Sequence, residues 1–379
     1  MTQIVSSVVG TFYTHCVKRI LFRLSPDSVH RNMIRAIRVS QRIGPMNWLV
    51  SGALAYRNEA MLGQTLHGVR FTNPVGLSAG FDKNVELAPT ISALGFGFMT
   101  GGSVTYYPCE GNPRPWFYRV PRYRSLVVHV GLANQGALKV CQRIRGYRSN
   151  LFTNFPLVVS VAKTNNQQNC NDQDAIADYV GSLKLLSEER SVRVIEVNIS
   201  CPNTYGGEPF TTPKRLDLLL RSIDQLSVTQ PVWIKMPINL PWAEFDALLQ
   251  VITKHKISTV TIGNLTKNRA DIPVADLPKK IAGNLSGGPT KDLSNDLIRQ
   301  TYAAYGDTLT IVGVGGIFTA EDAYEKICLG ASLVALVTGM VYMGPQLVGQ
   351  INRGLAALLE KDHLTNIGEA VGSRNNLIL

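Results

Sequence analysis

Eight short apolar runs, separated by longer amphipathic stretches, recur from residue 73 onward and restrict the folds open to this chain. In order they are NPVGLSAG from Asn73, FGFMTGGS from Phe96, PLVVSVAK from Pro156, RVIEVNIS from Arg193, PVWIKM from Pro231, STVTIGN from Ser258, LTIVGVGG from Leu309 and SLVALVT from Ser332. Continuous runs of Val, Ile and Leu are typical of parallel strands that are buried on both faces. Eight such strands with helices between them suit a closed barrel better than an open sheet. The sequence therefore predicts an α/β fold, a (β/α)8 TIM barrel.

The segment that precedes these runs is basic and has the periodicity of helices. Residues 1–62 contain eight Lys or Arg and two acidic residues, so more than half of the net charge of +11 lies there. Between a helix start expected at Ser25-Pro26-Asp27 and a break at Gly44-Pro45, apolar residues recur every four positions beside a stripe of arginines. A second helix is expected through Trp48 and Met61. Two interpretations stay open: a surface helix docked on its own domain, or a helical pair that rests on an anionic bilayer and opens a path for a lipid-soluble partner.

Several classes of protein are excluded by what the chain lacks. No uncharged apolar run reaches the roughly 18–20 residues needed to span a bilayer, and we expect no secretory signal because a small-residue cleavage site is missing. The six cysteines are scattered without a C-x-x-C pair, which argues against a zinc site or a disulfide framework and suits a reducing compartment. No zinc-finger or RNA-binding signature accompanies the basic segment, so lipid is favoured over nucleic acid. We expect a helical segment over residues 1–66 and a barrel over residues 67–379.

Glycines follow the seventh and eighth predicted strands, at the end of a barrel where ligands bind. Gly313-Val314-Gly315-Gly316 precedes a helix expected to begin near Thr319, and free N–H groups at such a turn can hold a phosphate. Val337-Thr338-Gly339 after the last strand would complete that site. Tight turns explain such glycines equally well in isolation, but the pair matches the common phosphate site of barrels. Residues 105–132 are expected to form an extra β-ribbon over the barrel mouth.

The motif Asn198-Ile199-Ser200-Cys201-Pro202-Asn203-Thr204 ends the fourth predicted strand. Two amides flank a thiol, and Pro202 turns the chain out of the sheet. Because asparagine both donates and accepts hydrogen bonds, two of them can bind the edge of a cyclic imide or amide. The other interpretation is a turn at the end of a strand with an inert cysteine.

Four further motifs stand in order around it: Ala79-Gly80-Phe81-Asp82-Lys83-Asn84, Gly111-Asn112-Pro113-Arg114-Pro115, Leu285-Ser286-Gly287 and Gly313-Val314-Gly315-Gly316-Ile317. With these motifs the chain resembles the dihydroorotate dehydrogenases, from about residue 13 to residue 374. The segment from Leu21 to His30 is similar to the entry helix of the quinone-using, membrane-associated class of that family.

The resemblance implies an FMN-dependent oxidation of dihydroorotate to orotate in pyrimidine biosynthesis, with electrons passed to a membrane quinone. FMN would be bound by Ser78, Ala79, Gly80, Ser103, Lys235, Gly287, Gly316 and Thr338. The substrate would be bound by Lys83, which pairs with its carboxylate, and by Asn198, Asn203 and Asn264. Cys201 would be the base that takes a proton from one ring carbon while hydride leaves the neighbouring carbon for the flavin. His30 and Arg119 would line the quinone path of a peripheral protein on the cytoplasmic face of the inner membrane.

The chain departs from the quinone-using class at several positions. Cys201 stands where that class has a serine base, and cysteine is what the soluble class uses. The other replacements are Val128 for a substrate-binding Asn, Leu132 for a gating Phe, Thr164 for an FMN-side Asn, Leu265 for a Thr and Val337 for a Tyr. An alkyl group opposite a polar edge of orotate would leave that edge unpaired, at roughly 1–3 kcal/mol per group. Two alternatives therefore stay open: a flavin-dependent desaturation of a different, less polar cyclic amide or amino-acid-derived substrate, and a non-catalytic, FMN-binding barrel docked on a membrane.

Overall fold

The computed structural model describes residues 2–148, 150–166, 171–201, 208, 210–270, 272–277 and 282–375. Its strands, in chain order, are β1 (Gln64–Leu66), β2 (Val69–Phe71), β3 (Val75–Leu77), β4 (Phe98–Val104), β5 (Phe117–Val120), β6 (Ser125–Val128), β7 (Leu157–Val161), β8 (Val192–Asn198), β9 (Val232–Met236), β10 (Thr259–Ile262), β11 (Asn284–Leu285), β12 (Thr310–Val314) and β13 (Leu333–Leu336).

The helices fall into an N-terminal group and a group that surrounds the strands. The first group is α1 (Thr2–Phe12), α2 (Lys18–Leu21), α3 (Pro26–Ser40), α4 (Met46–Leu54) and α5 (Glu59–Leu62), with a π-helical turn at Tyr13–Val17. The second is α6 (Ala88–Ala93), α7 (Ala137–Arg145), α8 (Asp172–Ser187), α9 (Pro213–Asp224), α10 (Trp242–Ile252), α11 (Lys291–Tyr305), α12 (Ala320–Cys328), α13 (Thr338–Met343), α14 (Leu347–Lys361) and α15 (Ile367–Ala370).

Eight strands close into a barrel in the order β10, β12, β13, β3, β4, β7, β8 and β9. Every neighbouring pair is parallel, and β10 pairs with both β9 and β12, so the barrel has no open edge. All eight predicted apolar runs form these strands, and the predicted (β/α)8 barrel is confirmed. The runs are largely apolar because one face of each strand packs inside the barrel and the other packs against the surrounding helices.

The floor of the barrel is filled by aromatic side chains. Strands β1 and β2 form an antiparallel hairpin below the barrel, and Phe71 of this hairpin lies with its ring centroid 5.5 Å from that of Phe98 and 6.3 Å from that of Trp233. Gly76 faces the same space, where a Cβ would lie 2.2 Å from the Phe98 ring, so a side chain at this position would displace the aromatic plug. The hairpin was not expected from the sequence. It directs any ligand to the opposite, C-terminal end of the strands.

The expected ribbon over the barrel mouth is present and has one more strand than the sequence indicated. Strands β5 and β6 pair antiparallel, with Phe117 opposite Val128. Strand β11 joins the other edge of β6, so Asn284 also pairs with Val128. The ribbon is therefore tied to the segment that follows β10, and both form one wall of the mouth.

The N-terminal helices pack on the barrel. Helix α3 begins at Pro26 as expected, and the chain leaves the helical conformation around Gly44-Pro45 before α4. Leu54 and Leu62 belong to the main hydrophobic core, and the Leu54 carbonyl packs against Gly349 of α14. Several apolar side chains of this group are more than half exposed: Ile4, Val8, Phe12, Ile20, Leu24, Trp48 and Leu49. Among the described residues, no helix has both the length and the apolar character needed to cross a bilayer.

Candidate active site

One cavity lies at the C-terminal ends of the barrel strands, with ribbon strands β5 and β6 along one side. Its empty volume, counted together with the solvent at its open mouth, is about 1180 Å³. All eight residues expected to bind FMN border it: Ser78, Ala79, Gly80, Ser103, Lys235, Gly287, Gly316 and Thr338. Four of the five expected catalytic and substrate residues border it as well: Lys83, Asn198, Cys201 and Asn264. The fifth, Asn203, lies outside the described residues. Residues from distant parts of the sequence therefore meet because parallel strands of a barrel end at the same rim.

The floor of the cavity is a network of hydrogen bonds centred on Asn198. The Asn198 Nδ2 atom donates to Ser103 Oγ at 2.9 Å, and Ser103 Oγ lies 2.9 Å from Ser160 Oγ. The Asn198 Oδ1 atom accepts from the backbone N–H and the hydroxyl of Ser200, at 3.0 and 2.9 Å. Asn264 Nδ2 donates to the same Ser200 hydroxyl at 2.8 Å. These bonds fix both amide side chains, which leaves a preorganised polar floor.

Lys83 brings a positive charge to the side of the cavity. Its Nζ donates to the Gly80 carbonyl at 3.0 Å and lies 5.5 Å from the centroid of the Phe117 ring. Removal of the ammonium group from water lowers the pKa of Lys83 to about 8, with a smaller lowering from Arg114, while the carboxylate of Asp82 opposes the shift. Burial raises the pKa of Asp82 above its ordinary value, although backbone N–H groups hydrogen-bond its carboxylate. A carboxylate ligand at Lys83 would contact an ammonium group whose positive charge is only partly offset by Asp82.

The cavity has the shape and donors that a flat, phosphate-bearing cofactor needs. Gly80 has φ of +109°, and a Cβ built on it would meet no atom within 4 Å, so any side chain there would project into open space. Two strands away in the barrel, the Gly315-Gly316 turn after β12 borders the cavity together with the first residues of α13. Thr319 and Asp322 form a capping box at the start of helix α12, in which Asp322 accepts from the N–H groups of Phe318 and Thr319, and Thr319 accepts from the N–H group of Asp322. These three N–H groups are therefore occupied, whereas the glycine turn before the helix borders the cavity.

The ribbon side of the cavity is apolar. Leu126, Val128, Val130 and Leu132 line it from the ribbon, and Leu265 lines it from the segment after β10. Four of the positions where the chain departs from the quinone-using class, Val128, Leu132, Leu265 and Val337, thus border the same cavity as Asn198 and Lys83. The polar atoms of the cavity concentrate on its floor, and its cover is hydrocarbon.

His30 and Arg119 lie apart from this cavity, between the ribbon and the N-terminal helices. The His30 ring packs edge-on against Phe81 and Phe117, with centroid distances of 5.6 and 5.4 Å. Burial, with smaller contributions from the charges of Lys83 and Arg114, lowers the pKa of His30 to about 3, so the ring is neutral near pH 7. Arg119 donates to the Leu24 carbonyl at 2.8 Å and stacks over the Phe22 ring at 4.6 Å. Phe117 separates this region from the cavity, because it contacts His30 on one side and lines the cavity on the other.

Several residues in or near the site were not assigned a role from the sequence. Phe117 and Ser286 border the cavity, and Ser286 Oγ lies 2.8 Å from Thr338 Oγ1. Glu196 is buried inside the barrel below the floor. It is the one charged residue in the otherwise apolar stretch Val194–Val197. A charge within a buried strand is the sequence feature that could have identified it.

Comparisons with known proteins agree on one family. The sequence model described as "Dihydroorotate dehydrogenase" matches residues 61–359. The chain is 34% identical to "Dihydroorotate dehydrogenase (quinone)" of Crocosphaera subtropica over 363 residues, which is 92% of this chain and 94% of the relative. It is also 34% identical to the protein of that name from Novosphingobium aromaticivorans, over 94% of this chain and 98% of the relative.

Solved structures show the same fold. The crystal structure of DHODH in complex with ferulenol from Eimeria tenella superposes with a TM-score of 0.77 at 23% identity, covering 92% of this chain and 95% of that one. The ligand-free DHODH of the same organism gives a TM-score of 0.76 at 26% identity, covering 86% and 96%. The likeness extends over almost the whole length of both chains.

Proposed function

The chain belongs to the dihydroorotate dehydrogenase family, and from that membership we propose that it oxidises dihydroorotate to orotate and passes the electrons to a quinone. Members of this family are FMN-dependent oxidoreductases that act on a CH–CH bond. The observation that most supports the proposal is that Lys83, Asn198, Asn264 and Cys201 border one cavity together with every residue expected at the cofactor. The relatives named as quinone enzymes cover nearly the whole chain, which supports the same acceptor here.

Substrate binding follows from the charges and amides around the cavity. The ammonium group of Lys83 pairs with the substrate carboxylate, and the side chains of Asn198 and Asn264 bind the amide edges of its ring. Because Asn198 is already bonded to Ser103 and Ser200, it binds the ring without a further loss of rotamer freedom. The polar floor thereby orients the two carbons that lose hydrogen.

The chemical step divides between the cofactor and one side chain. FMN, when bound beside Lys235 and Ser103, supplies the acceptor for the hydride from one ring carbon. Cys201, as a thiolate, takes the proton from the neighbouring carbon, and the electron pair of that C–H bond forms the ring double bond. Lys235, which is 6% exposed, would place a positive charge beside the bound cofactor. The proton later leaves the thiol, so that Cys201 can act as a base again.

The N-terminal helices supply the second substrate in this proposal. His30 and Arg119 lie between these helices and the ribbon, on the far side of Phe117 from the cavity. We infer that a quinone reaches them from the membrane, and that exposed arginines and apolar side chains of helices α1 to α4 hold the protein on the cytoplasmic face of the inner membrane as a peripheral enzyme. Quinone access then needs no spanning helix.

The apolar cover of the cavity favours a second candidate function. Val128 and Leu265 place alkyl groups where a polar substrate edge would need partners. A less polar cyclic amide, desaturated by the same base and cofactor, would fit such a cover without unpaired groups. This candidate differs from the first only in the ring that is oxidised.

The test is the anaerobic reduction of the bound flavin. The protein should purify yellow, and denaturation should release FMN rather than FAD. Dihydroorotate should bleach the flavin at least as fast as the enzyme turns over. Dihydrouracil, which lacks the carboxylate, should bleach it far more slowly. Faster bleaching by an uncharged dihydro-amide would favour the second candidate. Folded protein that neither contains nor takes up FMN would contradict both.

A further inference from the structure

A carboxylate that the proposed reaction does not use lies inside the barrel, below the floor of the cavity. Glu196 of β8 is 2% exposed. Its Oε2 atom accepts a hydrogen bond from Thr261 Oγ1 at 2.7 Å, and its Oε1 atom has no hydrogen-bond partner within the described ranges. A buried carboxylate with an unpaired oxygen is costly unless a positive charge compensates it.

The strand register places Lys235 beside this carboxylate. Strand β9 lies between β8 and β10, and its Lys235 pairs with Asn198 on one side and with Thr261 on the other. Glu196 stands two residues before Asn198, so its side chain points to the same inward face. The hydrogen bond from Thr261 of β10 to Glu196 of β8 spans β9, which lies between those two strands. It therefore crosses the inward face of β9 next to Lys235. The two opposite charges are thus neighbours within the barrel.

The closeness of these two charges affects the electrostatic potential in the cavity. Lys235 borders the cavity and is 6% exposed, whereas Glu196 is shielded from solvent below it. Opposite charges in a poorly solvated interior attract strongly, and each offsets part of the desolvation cost of the other. The carboxylate therefore reduces the positive potential that Lys235 presents to anything bound above it.

We propose that Glu196 is a positioning residue that acts through Lys235: without a direct hydrogen bond to the ammonium group, its charge attracts that group toward the floor and limits how strongly the cavity favours the reduced, more negative form of the flavin. The proposal rests on the proposed FMN site but not on the identity of the oxidised substrate. Glu196 touches neither the cavity nor the reacting atoms, so its effect belongs to the balance between cofactor states rather than to the proton transfer.

The experiment measures the midpoint potential of the bound FMN by a chemical reduction that needs no substrate. Glu196→Gln keeps the size of the side chain and removes its charge, so the ratio of affinities for reduced and oxidised FMN should rise about tenfold. For a two-electron couple, this is a positive shift of about 30 mV. Glu189→Gln is the matched control, because Glu189 is also buried but lies in the loop before β8, in an ion pair with Arg145. A change of less than twofold in Glu196→Gln, or an equal change in the control, would overturn the proposal.

Two further measurements decide the route of the effect. In a Lys235→Gln background, Glu196→Gln should shift the ratio by less than twofold; a full tenfold shift there would show that Glu196 does not act through Lys235.

If Glu196→Gln does not fold, difference infrared spectra of the wild type with labelled glutamate take its place. A carboxylate band that moves on flavin reduction supports the proposal, and a protonated or unresponsive glutamate overturns it. Wild-type protein that binds no FMN defeats the proposed function itself, an outcome distinct from FMN binding with an unchanged potential.

Discussion

Asp27 of helix α3 and Arg114 of the loop before the ribbon form an ion pair, with 2.8 Å between Asp27 Oδ1 and Arg114 Nη1. The same carboxylate accepts hydrogen bonds from the backbone N–H groups of Trp116 at 3.1 Å and Phe117 at 3.3 Å. Phe117 in turn lines the cavity. One buried carboxylate therefore joins the N-terminal helices to the wall of the candidate active site.

Loss of this carboxylate should destabilise the contact between the helices and the ribbon. Asp27→Ala removes the acceptor of two backbone N–H groups and leaves Arg114 unpaired, and we expect the free energy of unfolding to fall by about 1–3 kcal/mol. Urea unfolding measures the change. Arg38→Gln is the control: it breaks the half-exposed Arg38–Glu86 pair and should cost less than about 1 kcal/mol. Equal losses in the two variants would show that the bonds of Asp27 contribute no more stability than the half-exposed Arg38–Glu86 pair.

Removal of the proposed base should slow one step and leave the cofactor in place. Cys201→Ala should reduce the rate of flavin reduction by dihydroorotate by roughly 10²–10⁴-fold, the usual contribution of a positioned general base. Cys201→Ser should keep part of the rate with its pH dependence moved upward, because a hydroxyl is harder to deprotonate than a thiol. Stopped-flow spectroscopy follows the bleaching. Unchanged reduction in Cys201→Ala would mean that the proton leaves by another route.

The affinity for orotate should depend on pH through Lys83. Burial lowers the pKa of this group to about 8, so the ammonium form that binds a carboxylate is present below that pH and is lost above it. Orotate binding to the oxidised enzyme, followed by the flavin spectrum, should be constant from about pH 6 to 7 and weaken as pH rises through 8. Lys83→Met should weaken binding by about 10- to 100-fold, since hydrogen bonds to charged groups contribute about 1.5–3 kcal/mol. Its pH profile should be flat; a profile that still falls above pH 8 would assign the dependence to another group.

Acid should weaken the attachment of helix α3 through His30. The pKa of His30 is about 3 in the folded chain, against about 6.5 when unfolded, so the unfolded chain binds more protons between these values. The stability contributed by the neutral ring is complete above pH 6.5 and declines as pH falls toward 3, by about 2 kcal/mol at pH 5. Urea unfolding at pH 7 and pH 5 should show this loss in the wild type. In His30→Gln the difference between the two pH values should be smaller by about that amount, and an identical difference would contradict the assignment.

Membrane binding should depend on the exposed cations of the first helices. Arg19 and Arg23 are exposed beside Ile20 and Leu24, and each cation near an anionic surface contributes about 1 kcal/mol. The double variant Arg19→Gln with Arg23→Gln should therefore bind phosphatidylserine-containing vesicles about 30-fold more weakly in a sedimentation assay at low salt. The same two-charge change at Arg193 and Lys214, exposed cations of the barrel, should alter binding little. Equal losses would attribute the binding to net charge alone.

The sequence by itself determined the barrel and the composition of its rim. The strands are recognisable because burial on both faces makes them largely apolar, as in Leu333–Leu336. The polar residues that follow, such as Asn198 and Lys235, stand out against those runs. Since parallel strands of a closed barrel end on one side, their convergence follows from the fold class alone.

Only the tertiary structure decided which of these residues are neighbours. The strands β1, β2 and β11 have two or three residues each, too few to carry a periodic signal, and they exist because the barrel floor and the edge of β6 offer partners. Asp27 was expected only at a helix start, and its bonds to the ribbon depend on how α3 docks. The closeness of Glu196 to Lys235 depends on the register of three successive strands, β8, β9 and β10. Burial patterns are local and can be predicted from neighbouring residues, whereas register and docking are set by the closure of the whole barrel.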